Sequence, residues 1–362
     1  MIIKRTFYIF VFILNTLVIT AMLVGKSTAW ITPEQATLPT FFGLFFPYLA
    51  ILNSIFIIFW LFRLKWQVAI IPILAMALTW SELQSTFSFF KTSVKKTENT
   101  EIKLMTYNVA YFGFFEKDSE IIDYIMQSGA DVVALQEFGY FQKSDKYFSL
   151  AKLENVLKAY PYRSFHTSSV NRGRTQGLAV FSKYPIVNEH LASFDTPFSK
   201  YMYTDIKVGN DTLRIFNLHL ESNGLTKKDK EALFGMAENF ETSMLESLAG
   251  TLSLKIGEAA KIRVGQSQEI SAKIAESPYS TIVVGDFNDT PVSYTYKTIG
   301  KDLTDTFVGS GAGMGITFHE NLLRVRIDYM LHSKDIISDN HKIEHINYSD
   351  HYPVQASFWL KK

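Results

Sequence analysis

Uncharged apolar residues fill most of the first 90 positions of the chain, in three runs. Phe7 to Val24 and Thr40 to Phe62 contain no charged residue, and each is close to the ~20 apolar residues that cross a bilayer core as a helix. Trp66 to Ser81 is a shorter charge-free run that contains Pro72. The pattern predicts a transmembrane anchor of about three helices at residues 1–90.

Two of these runs allow another interpretation. The first could be a cleaved signal peptide, and the third could be an interfacial helix because it is short for a span. Basic residues precede the first run (Lys4, Arg5) and separate the second from the third (Arg63, Lys65), as expected on a cytoplasmic side. We therefore expect a multi-pass protein of the cell inner membrane whose remaining chain lies on the extracytoplasmic side. The lysines after the third run argue mildly for the opposite side.

After a polar linker at residues 91–101, short apolar strands alternate with helical patterns. β-Branched and aromatic content predicts strands at 102–107, 131–135, 177–182, 213–218, 281–284, 327–331 and 354–359. Helix start and stop residues predict helices at 120–128, 150–159, 226–250 and 252–277. The alternation predicts a layered α/β domain at residues 102–362 whose loops carry polar residues.

Composition narrows the chemistry. The chain has no cysteine, which excludes disulfides, thiolate zinc sites and cysteine nucleophiles. Its net charge is +1, so the chain as a whole gives no electrostatic argument for nucleic-acid binding. Hydrophobic residues make up 47%, and their concentration near the N-terminus agrees with the predicted membrane region.

The clearest chemical motif is Gly285-Asp286-Phe287-Asn288-Asp289, which follows the apolar run TIVV and is echoed by Ser349-Asp350-His351. Carboxylates bind hard divalent cations, an amide orients a water or phosphate oxygen, and an imidazole moves a proton. The combination suits metal-assisted attack on phosphorus. The alternative for Asp286 and Asn288 is an Asx-turn that closes the strand.

Other polar residues stand at the ends of predicted strands. Asn108 follows the first strand, where it could orient a phosphate oxygen or simply form a turn. Glu137 ends a strand of buried type, where a carboxylate is costly unless it is paired or bound to metal. His219 lies in IFNLHLES and alone would more often be structural.

Asp328 is flanked by apolar residues, so its burial requires a partner, and His351 is the obvious one. A carboxylate bonded to one ring nitrogen fixes the tautomer of an imidazole and raises its basicity. Asp350 would then point away from His351 and be available to a metal.

In this order, the motifs YNV, LQE, NLHLES, GDFND, RIDYM and SDHYPV resemble the endonuclease/exonuclease/phosphatase superfamily, to which deoxyribonuclease I and exonuclease III are similar. The resemblance covers about Ile102 to Lys362. It implies a four-layer α/β sandwich, in which two mainly antiparallel sheets are flanked by helices. It also implies that the enzyme requires Mg²⁺ or Mn²⁺.

The resemblance assigns roles residue by residue. The positions that match the superfamily's catalytic residues are His219, Asp286, Asn288, Asp328 and His351. The positions that match its metal-side residues are Asn108, Glu137 and Asp350, with Glu137 as the principal ligand. Water activation by Asp286 and phosphoryl contact by His351 are the roles we favour, but the sequence leaves open the reverse assignment.

The chain departs from the superfamily by an insertion of two long helices at residues 222–277, which puts the substrate in doubt. Arg172 and Arg174 could clamp a substrate phosphate or form a solvated basic loop. We expect a membrane-anchored phosphoester hydrolase acting on nucleic acid or a phospholipid head group, with the lipid bilayer as its other partner. A catalytically silent, membrane-held binding module is the alternative, and no protein partner can be inferred.

Overall fold

A computed structural model describes residues 2–89, 100–114, 116–141, 149, 152–153, 158–170, 174–225, 242–320 and 324–361. The chain forms two compact units. The first, called here the helical unit, comprises Met1–Phe87, Asn223–Val264 and Asp289–Lys297. The second, the sheet unit, comprises Ser88–Ser222, Gly265–Asn288 and Thr298–Lys362. The predicted division at 1–90, 91–101 and 102–362 stays a prediction, and most of the predicted linker lies outside the described residues.

The apolar N-terminus of the helical unit is helical throughout most of its length. Its helices are α1 (Ile2–Lys26), α2 (Leu38–Leu44), α3 (Phe46–Phe62), α4 (Trp66–Leu78) and α5 (Trp80–Thr86), with a 3₁₀ turn at Ser27–Ala29. One helix, Lys4–Ala29, is long and apolar enough to cross a membrane. The pairs α2–α3 and α4–α5 reach that length only if each is taken as a single bent span.

Both bends correct the continuous runs predicted from the sequence. The second run bends by 69° between α2 and α3, where Pro47 lies at the start of α3 and has no N–H to continue the ladder from α2. The third run bends by 67° at Thr79. The Thr79 hydroxyl bonds back to the Ala75 carbonyl at 2.9 Å, a contact that favours bending of a helix.

Polar side chains lie inside the bundle of α1, α3 and α4. Asn15 Nδ2 donates to Asn53 Oδ1 at 3.2 Å, and Trp60 Nε1 donates to Asn15 Oδ1 at 3.1 Å. Asn53 Nδ2 donates to the Pro72 carbonyl at 3.0 Å. Large apolar side chains of the same helices, Phe10 and Ile55 among others, are exposed. The interior of these helices therefore contains amides as well as buried apolar side chains such as Val11 and Met22.

Two six-stranded sheets make up the sheet unit. Their strands are β1 (Ile102–Asn108), β2 (Val132–Phe141), β3 (Tyr162–Val170), β4 (Arg174–Ser182), β5 (Ile186–Ser193), β6 (Lys200–Val208), β7 (Asp211–His219), β8 (Ser280–Asp286), β9 (Thr304–Asp305), β10 (Asp328–His332), β11 (Ile336–Ile343) and β12 (Val354–Leu360). Their orders are β11-β12-β1-β2-β4-β3 and β5-β6-β7-β8-β10-β9. Each sheet has one parallel pair, β1–β2 or β7–β8, and its other pairs are antiparallel.

The sheets pack face to face because the longer strands place apolar residues at alternate positions on the inner face. Leu104 and Val132 of the first sheet share a buried core with Ile215 and Ile282 of the second. On the outer face of the first sheet, α6 (Asp118–Gln127) buries Ile121. Further helices are α7 (Thr242–Ala275), α8 (Tyr294–Ile299) and α9 (Thr306–Ser310), and Ala110–Phe114 forms a short turn with positive φ values. The predicted sandwich of two mainly antiparallel sheets flanked by helices is confirmed.

Some element predictions need correction. The insertion was predicted to contain two helices that meet near Gly250, but α7 is one continuous helix from Thr242 to Ala275. Gly250 lowers helix propensity without forcing a break. The rest of the first predicted insertion helix lies outside the described residues, as does most of the predicted helix at 150–159. Strands β3, β5, β6, β9 and β11 were not predicted.

Candidate active site

Strand ends of the two sheets meet at one polar cluster. Asn108 ends β1, His219 ends β7 and Asp286 ends β8, while Asp328 begins β10. In the second sheet His219 pairs with Asp286, and Asp286 pairs with Asp328. Asn108 Nδ2 donates to Asp286 Oδ2 at 3.0 Å and thereby joins the first sheet to the second. The topology therefore brings these four predicted residues together.

Glu137 enters the cluster through a β-bulge. The pairing of β2 with β4 shifts register between Leu135 and Phe138, and Glu137 has a positive φ of 46°. A bulge re-aims a side chain at the cost of local backbone strain. Glu137 Oε1 lies 3.5 Å from His219 Nε2 and 3.4 Å from Asn108 Nδ2.

Asp328 and His351 form the predicted pair. His351 Nδ1 is 2.8 Å from Asp328 Oδ2, and His351 Nε2 is 3.7 Å from Asp286 Oδ2. Burial alone lowers the pKa of His351, but the carboxylates of Asp328 and Asp286 outweigh it and hold this pKa well above the ordinary value. Burial, followed by the negative charge of Asp328, raises the pKa of Asp286 to about 6.

The end of β8 and the loop after it have a fixed geometry. Gly285 has φ 128°, and a Cβ at this position would lie 2.1 Å from the Leu218 carbonyl oxygen, so glycine is required. Asn288 adopts a left-handed φ of 52°. Its backbone N–H donates to Asp286 Oδ1 at 2.8 Å, and its side-chain Nδ2 donates to the Leu220 carbonyl at 3.0 Å. This is the Asx-type turn considered above, and it coexists with the cluster.

The remaining predicted residues differ in their placement. Asp350 is half-buried; Ser349 Oγ lies 3.3 Å from Asp350 Oδ1 and donates to the Asn108 carbonyl at 2.8 Å. No contact of Asp350 with Glu137 is recorded among the described residues. Arg172 lies outside the described residues. The Arg174 guanidinium lies 5.3 Å from the ring of Tyr111, whose pKa is raised by burial and by the charge of Glu137.

Lys200 is a candidate that the sequence reasoning missed. It is the cross-strand partner of His219, and it is buried. Its Nζ contacts Ser168 Oγ at 2.9 Å and Ser193 Oγ at 3.2 Å, and no carboxylate partner is recorded for it within the described ranges. Burial lowers its pKa. The lysine in FSKYMY could have been singled out only if β6 had been recognised beside β7.

A pair of buried amides, Gln136 and Asn217, also lies next to the site and was not predicted to do so. Gln136 Nε2 donates to Asn217 Oδ1 at 2.6 Å, and Asn217 Nδ2 donates to the carbonyls of Leu135 and Ala179 at 3.0 and 3.1 Å. These hydrogen bonds join the two sheets next to Glu137, which follows Gln136 on β2, and two residues before His219 on β7. Asn217 is therefore a structural residue rather than a member of the polar cluster.

The donor set can be tested against a divalent metal. Asp286, Asp328 and His351 place one donor atom each within 4.8 Å of one another. However, His351 Nδ1 already bonds Asp328, and a protonated imidazole between two carboxylates is a charged triad rather than a hard-cation site. The carboxylate oxygens of Glu137 suit Mg²⁺ or Mn²⁺ better. Asn108 turns its Nδ2 toward Glu137 and Asp286, and its Oδ1 accepts from the Ala110 N–H at 3.1 Å. His219 Nε2 and Asp328 Oδ1 are buried and make no hydrogen bond within the described residues, so the cluster has unmet polar capacity.

Comparison with known proteins identifies the class. Residues 105–351 match the family model described as the Endonuclease/Exonuclease/phosphatase family, so the chain belongs to this family and is a phosphoester hydrolase. Residues 7–86 match a model described as a domain of unknown function. A search of curated protein sequences finds no significant match.

Solved structures share the fold. An endonuclease/exonuclease/phosphatase from Beutenbergia cavernae is 16% identical with a TM-score of 0.52, and the match covers 72% of each chain. Sphingomyelinase C from Streptomyces griseocarneus is 19% identical with a TM-score of 0.48, over 71% of this chain and 99% of that one. At these identities the first likeness establishes the fold alone.

Proposed function

We propose that the chain is a membrane-anchored, divalent-metal-dependent phosphodiesterase that uses direct in-line attack of water. The observation that carries the proposal is the convergence of Asp286, His219, Glu137 and the Asp328–His351 pair at the meeting strand ends of two sheets. Buried carboxylates and imidazoles that shift each other's pKa are typical of acid–base sites. The phosphodiester could belong to a nucleic acid or a phospholipid head group.

Each residue has a task in this scheme. Asp286 would accept a proton from the attacking water, and a pKa of about 6 leaves it ionised at neutral pH. Asn288 would keep the Asp286 carboxylate oriented through its N–H. His351, held protonated by Asp328, would donate a hydrogen bond to the phosphoryl group or a proton to the leaving oxygen.

Other residues would hold the substrate. His219 Nδ1 lies 3.3 Å from the Phe198 carbonyl, which leaves Nε2 facing the cluster to contact a phosphate oxygen. Lys200 adds a positive charge beside it. Glu137, with Asp350, would bind the metal, which when bound supplies charge stabilisation at the phosphoryl group. Asn108 would orient the Glu137 and Asp286 carboxylates through its Nδ2.

The first test is hydrolysis by the purified full-length protein in detergent with Mg²⁺, Mn²⁺ or EDTA. Substrates are bis-p-nitrophenyl phosphate, p-nitrophenyl phosphate, plasmid DNA and sphingomyelin micelles, and Glu137→Gln and Asp286→Ala serve as inactive controls. We expect metal-stimulated phosphodiester cleavage that both substitutions abolish. Retained activity in Asp286→Ala with saturating metal would refute the scheme. Absence of turnover and of metal binding would favour the silent binding module.

The same panel separates the substrate classes. Nuclease activity requires charge neutralisation of the phosphate backbone, so DNA binding should weaken steeply with salt. A lipid enzyme should instead require micelles. Without either behaviour, a small soluble phosphodiester is the remaining substrate.

We further propose that α1, α2–α3 and α4–α5 form a multi-pass anchor in the inner membrane, with the catalytic residues on the extracytoplasmic side. The interior amides Asn15 and Asn53, surrounded by exposed apolar side chains, support a bundle in lipid. Because the chain has no cysteine, one introduced by Lys301→Cys at an exposed site is a unique label. We expect this cysteine to react with an impermeant maleimide in intact spheroplasts. Labelling only after lysis would show that the catalytic residues lie on the cytoplasmic side.

A further inference from the structure

Asp289, which a peptide bond joins to Asn288, is tied to the insertion helix. Asp289 Oδ2 accepts hydrogen bonds from Arg263 Nε at 3.2 Å and from Thr295 Oγ1 at 3.0 Å. Arg263, on α7, is 1% exposed and is among the largest fully buried side chains described. Its Nη2 also donates to Asn223 Oδ1 at 3.1 Å. The helical unit thus contains a buried ion pair one residue beyond the proposed active-site loop.

The apolar helices hold the next residues of the same segment. Thr290 Oγ1 donates to the Gly43 carbonyl at 3.1 Å. In a continuous helix the N–H four residues ahead would bond this carbonyl, but that residue is Pro47, which has none. Val292 is fully buried among apolar side chains of the N-terminal helices, and its carbonyl accepts from the Thr28 hydroxyl. The helix break at Pro47 therefore leaves the Gly43 carbonyl available to accept a hydrogen bond from Thr290.

A buried carboxylate fixes the end of the segment. Glu82 on α5 is 3% exposed, and its Oε1 accepts from Lys297 Nζ at 2.8 Å. Its Oε2 lies 3.2 Å from Lys26 Nζ at the end of α1. Residues 289 to 297 are consequently anchored at their start, middle and end within the helical unit.

The conformation of Asn288 depends on its neighbours. Its φ of 52° lies in the left-handed region, which asparagine tolerates better than most residues, and the contacts on either side select this conformation. The Asn288 side chain donates to the Leu220 carbonyl. The next residue, Asp289, is fixed by its hydrogen bond with Arg263 and so restrains the Asn288 backbone. Because the Asn288 N–H orients the Asp286 carboxylate, movement at residue 289 would reach the proposed base.

We propose that Arg263 is a positioning residue for the active-site loop, and that the insertion helix and membrane helices together hold the chain that leaves Asn288. The inference rests on the proposed function of Asp286 and Asn288. It gives the insertion a role and makes the N-terminal helices a support for catalysis in addition to an anchor.

The test uses the full-length protein in detergent with the double variant Arg263→Met/Asp289→Asn. Replacing both charges avoids leaving one of them buried and unpaired, which would risk unfolding. With bis-p-nitrophenyl phosphate and Mg²⁺ we expect kcat to fall about 10- to 100-fold, as for loss of an orienting contact. KM should change by less than about twofold because the substrate-binding groups are untouched. Arg263→Lys should retain part of the activity.

The matched control is Arg214→Met/Asp205→Asn. This buried pair, with Arg214 Nε 2.7 Å from Asp205 Oδ1, joins β6 to β7 and lies outside the proposed machinery. We expect it to lower the melting temperature similarly while kcat is retained. An equal loss of kcat in both double variants would show that Arg263 acts only through general stability and would overturn the proposal.

Amide hydrogen exchange separates this inference from the proposed function. Peptides covering 285–297 should exchange faster in the Arg263→Met/Asp289→Asn variant than in the wild type, while peptides covering 102–108 stay unchanged. If the wild type has no hydrolytic activity but this difference appears, the positioning role stands and the proposed function fails. If both kcat and exchange are unchanged, the positioning role fails although the hydrolase assignment is intact.

Discussion

Substitution Asp328→Asn is the most informative perturbation of the candidate active site. The side chain is 2% exposed and its Oδ2 lies 2.8 Å from His351 Nδ1. Asparagine keeps the size but removes the charge, and its amide can present a donor where the imidazole also presents one. The imidazole is then free to adopt the wrong tautomer, and its protonated form loses its principal stabilising charge.

The direction of the pKa changes can be worked out from the structure. Two unit charges 4 Å apart interact by about 4 kcal/mol at an effective dielectric constant of 20, which is about 3 pKa units. This figure is an upper bound on the effect of Asp328 on the pKa of Asp286. Burial is the larger cause of the rise in that pKa from 3.8 to about 6. Removing the Asp328 charge should therefore lower the pKa of Asp286, as long as His351 stays protonated and keeps its own lowering effect. It should also lower the pKa of His351, because the attraction that favours the imidazolium is lost.

The assay is the pH dependence of kcat/KM for bis-p-nitrophenyl phosphate at one fixed Mg²⁺ concentration. If Asp286 acts ionised and His351 acts protonated, activity rises with pH on the acid side and falls on the alkaline side. In Asp328→Asn both midpoints should move to lower pH, and kcat should fall by about 10²- to 10⁴-fold. Midpoints that stay in place, or an acid midpoint that moves upward, would refute the assignment of this pair. Asp205→Asn, at another buried carboxylate, controls for loss of stability.

Two further predictions follow from other buried polar groups. Lys200→Met should raise KM for an anionic phosphodiester by about tenfold and weaken its salt dependence, while kcat changes little; an unchanged KM would remove Lys200 from the substrate site. Asn53→Leu leaves the Pro72 carbonyl and Asn15 Nδ2 without their recorded partner, so it should lower the stability of the full-length protein by about 1–3 kcal/mol. The measurement is the melting temperature in micelles, with Ile55→Leu at an exposed position as the control. Equal melting temperatures for the two variants would contradict the prediction.

The sequence predicted the strands that bury apolar residues, because their composition matches their environment. β1, β8 and β12 are strands of this kind. Polar motifs that follow such strands could be predicted to lie together, because strand ends meet at one edge of a sheet. β6 was not predicted because it buries Lys200 and Asp205, charged residues that a hydrophobic pattern assigns to the protein surface. β5 was not predicted because none of its eight residues is buried and five of them are exposed. Local composition cannot reveal burial that depends on a distant partner such as Arg214.

The geometry of the candidate site was less predictable than its residue content. A bulge in β2 aims Glu137, and neither the strand period nor β propensity indicates a left-handed φ at that residue. Pro47 was visible in the sequence, but its effect on a run of apolar residues depends on whether the helix restarts. The pairing of Arg263 with Asp289 joins residues 26 positions apart through side chains alone, so no pattern of spacing predicts it.

The charges of the site explain why its chemistry calls for a cation. Glu137, Asp286 and Asp328 are three carboxylates, and the imidazolium of His351 compensates for one of them. A phosphodiester that approached this cluster would add a further negative charge in surroundings where charges are poorly screened. Lys200, beside His219, offsets only part of that repulsion. In the proposed scheme, a divalent cation held by the Glu137 carboxylate would bring the site close to neutrality before substrate binds, so the same carboxylates that would activate water would also favour a metal for substrate binding.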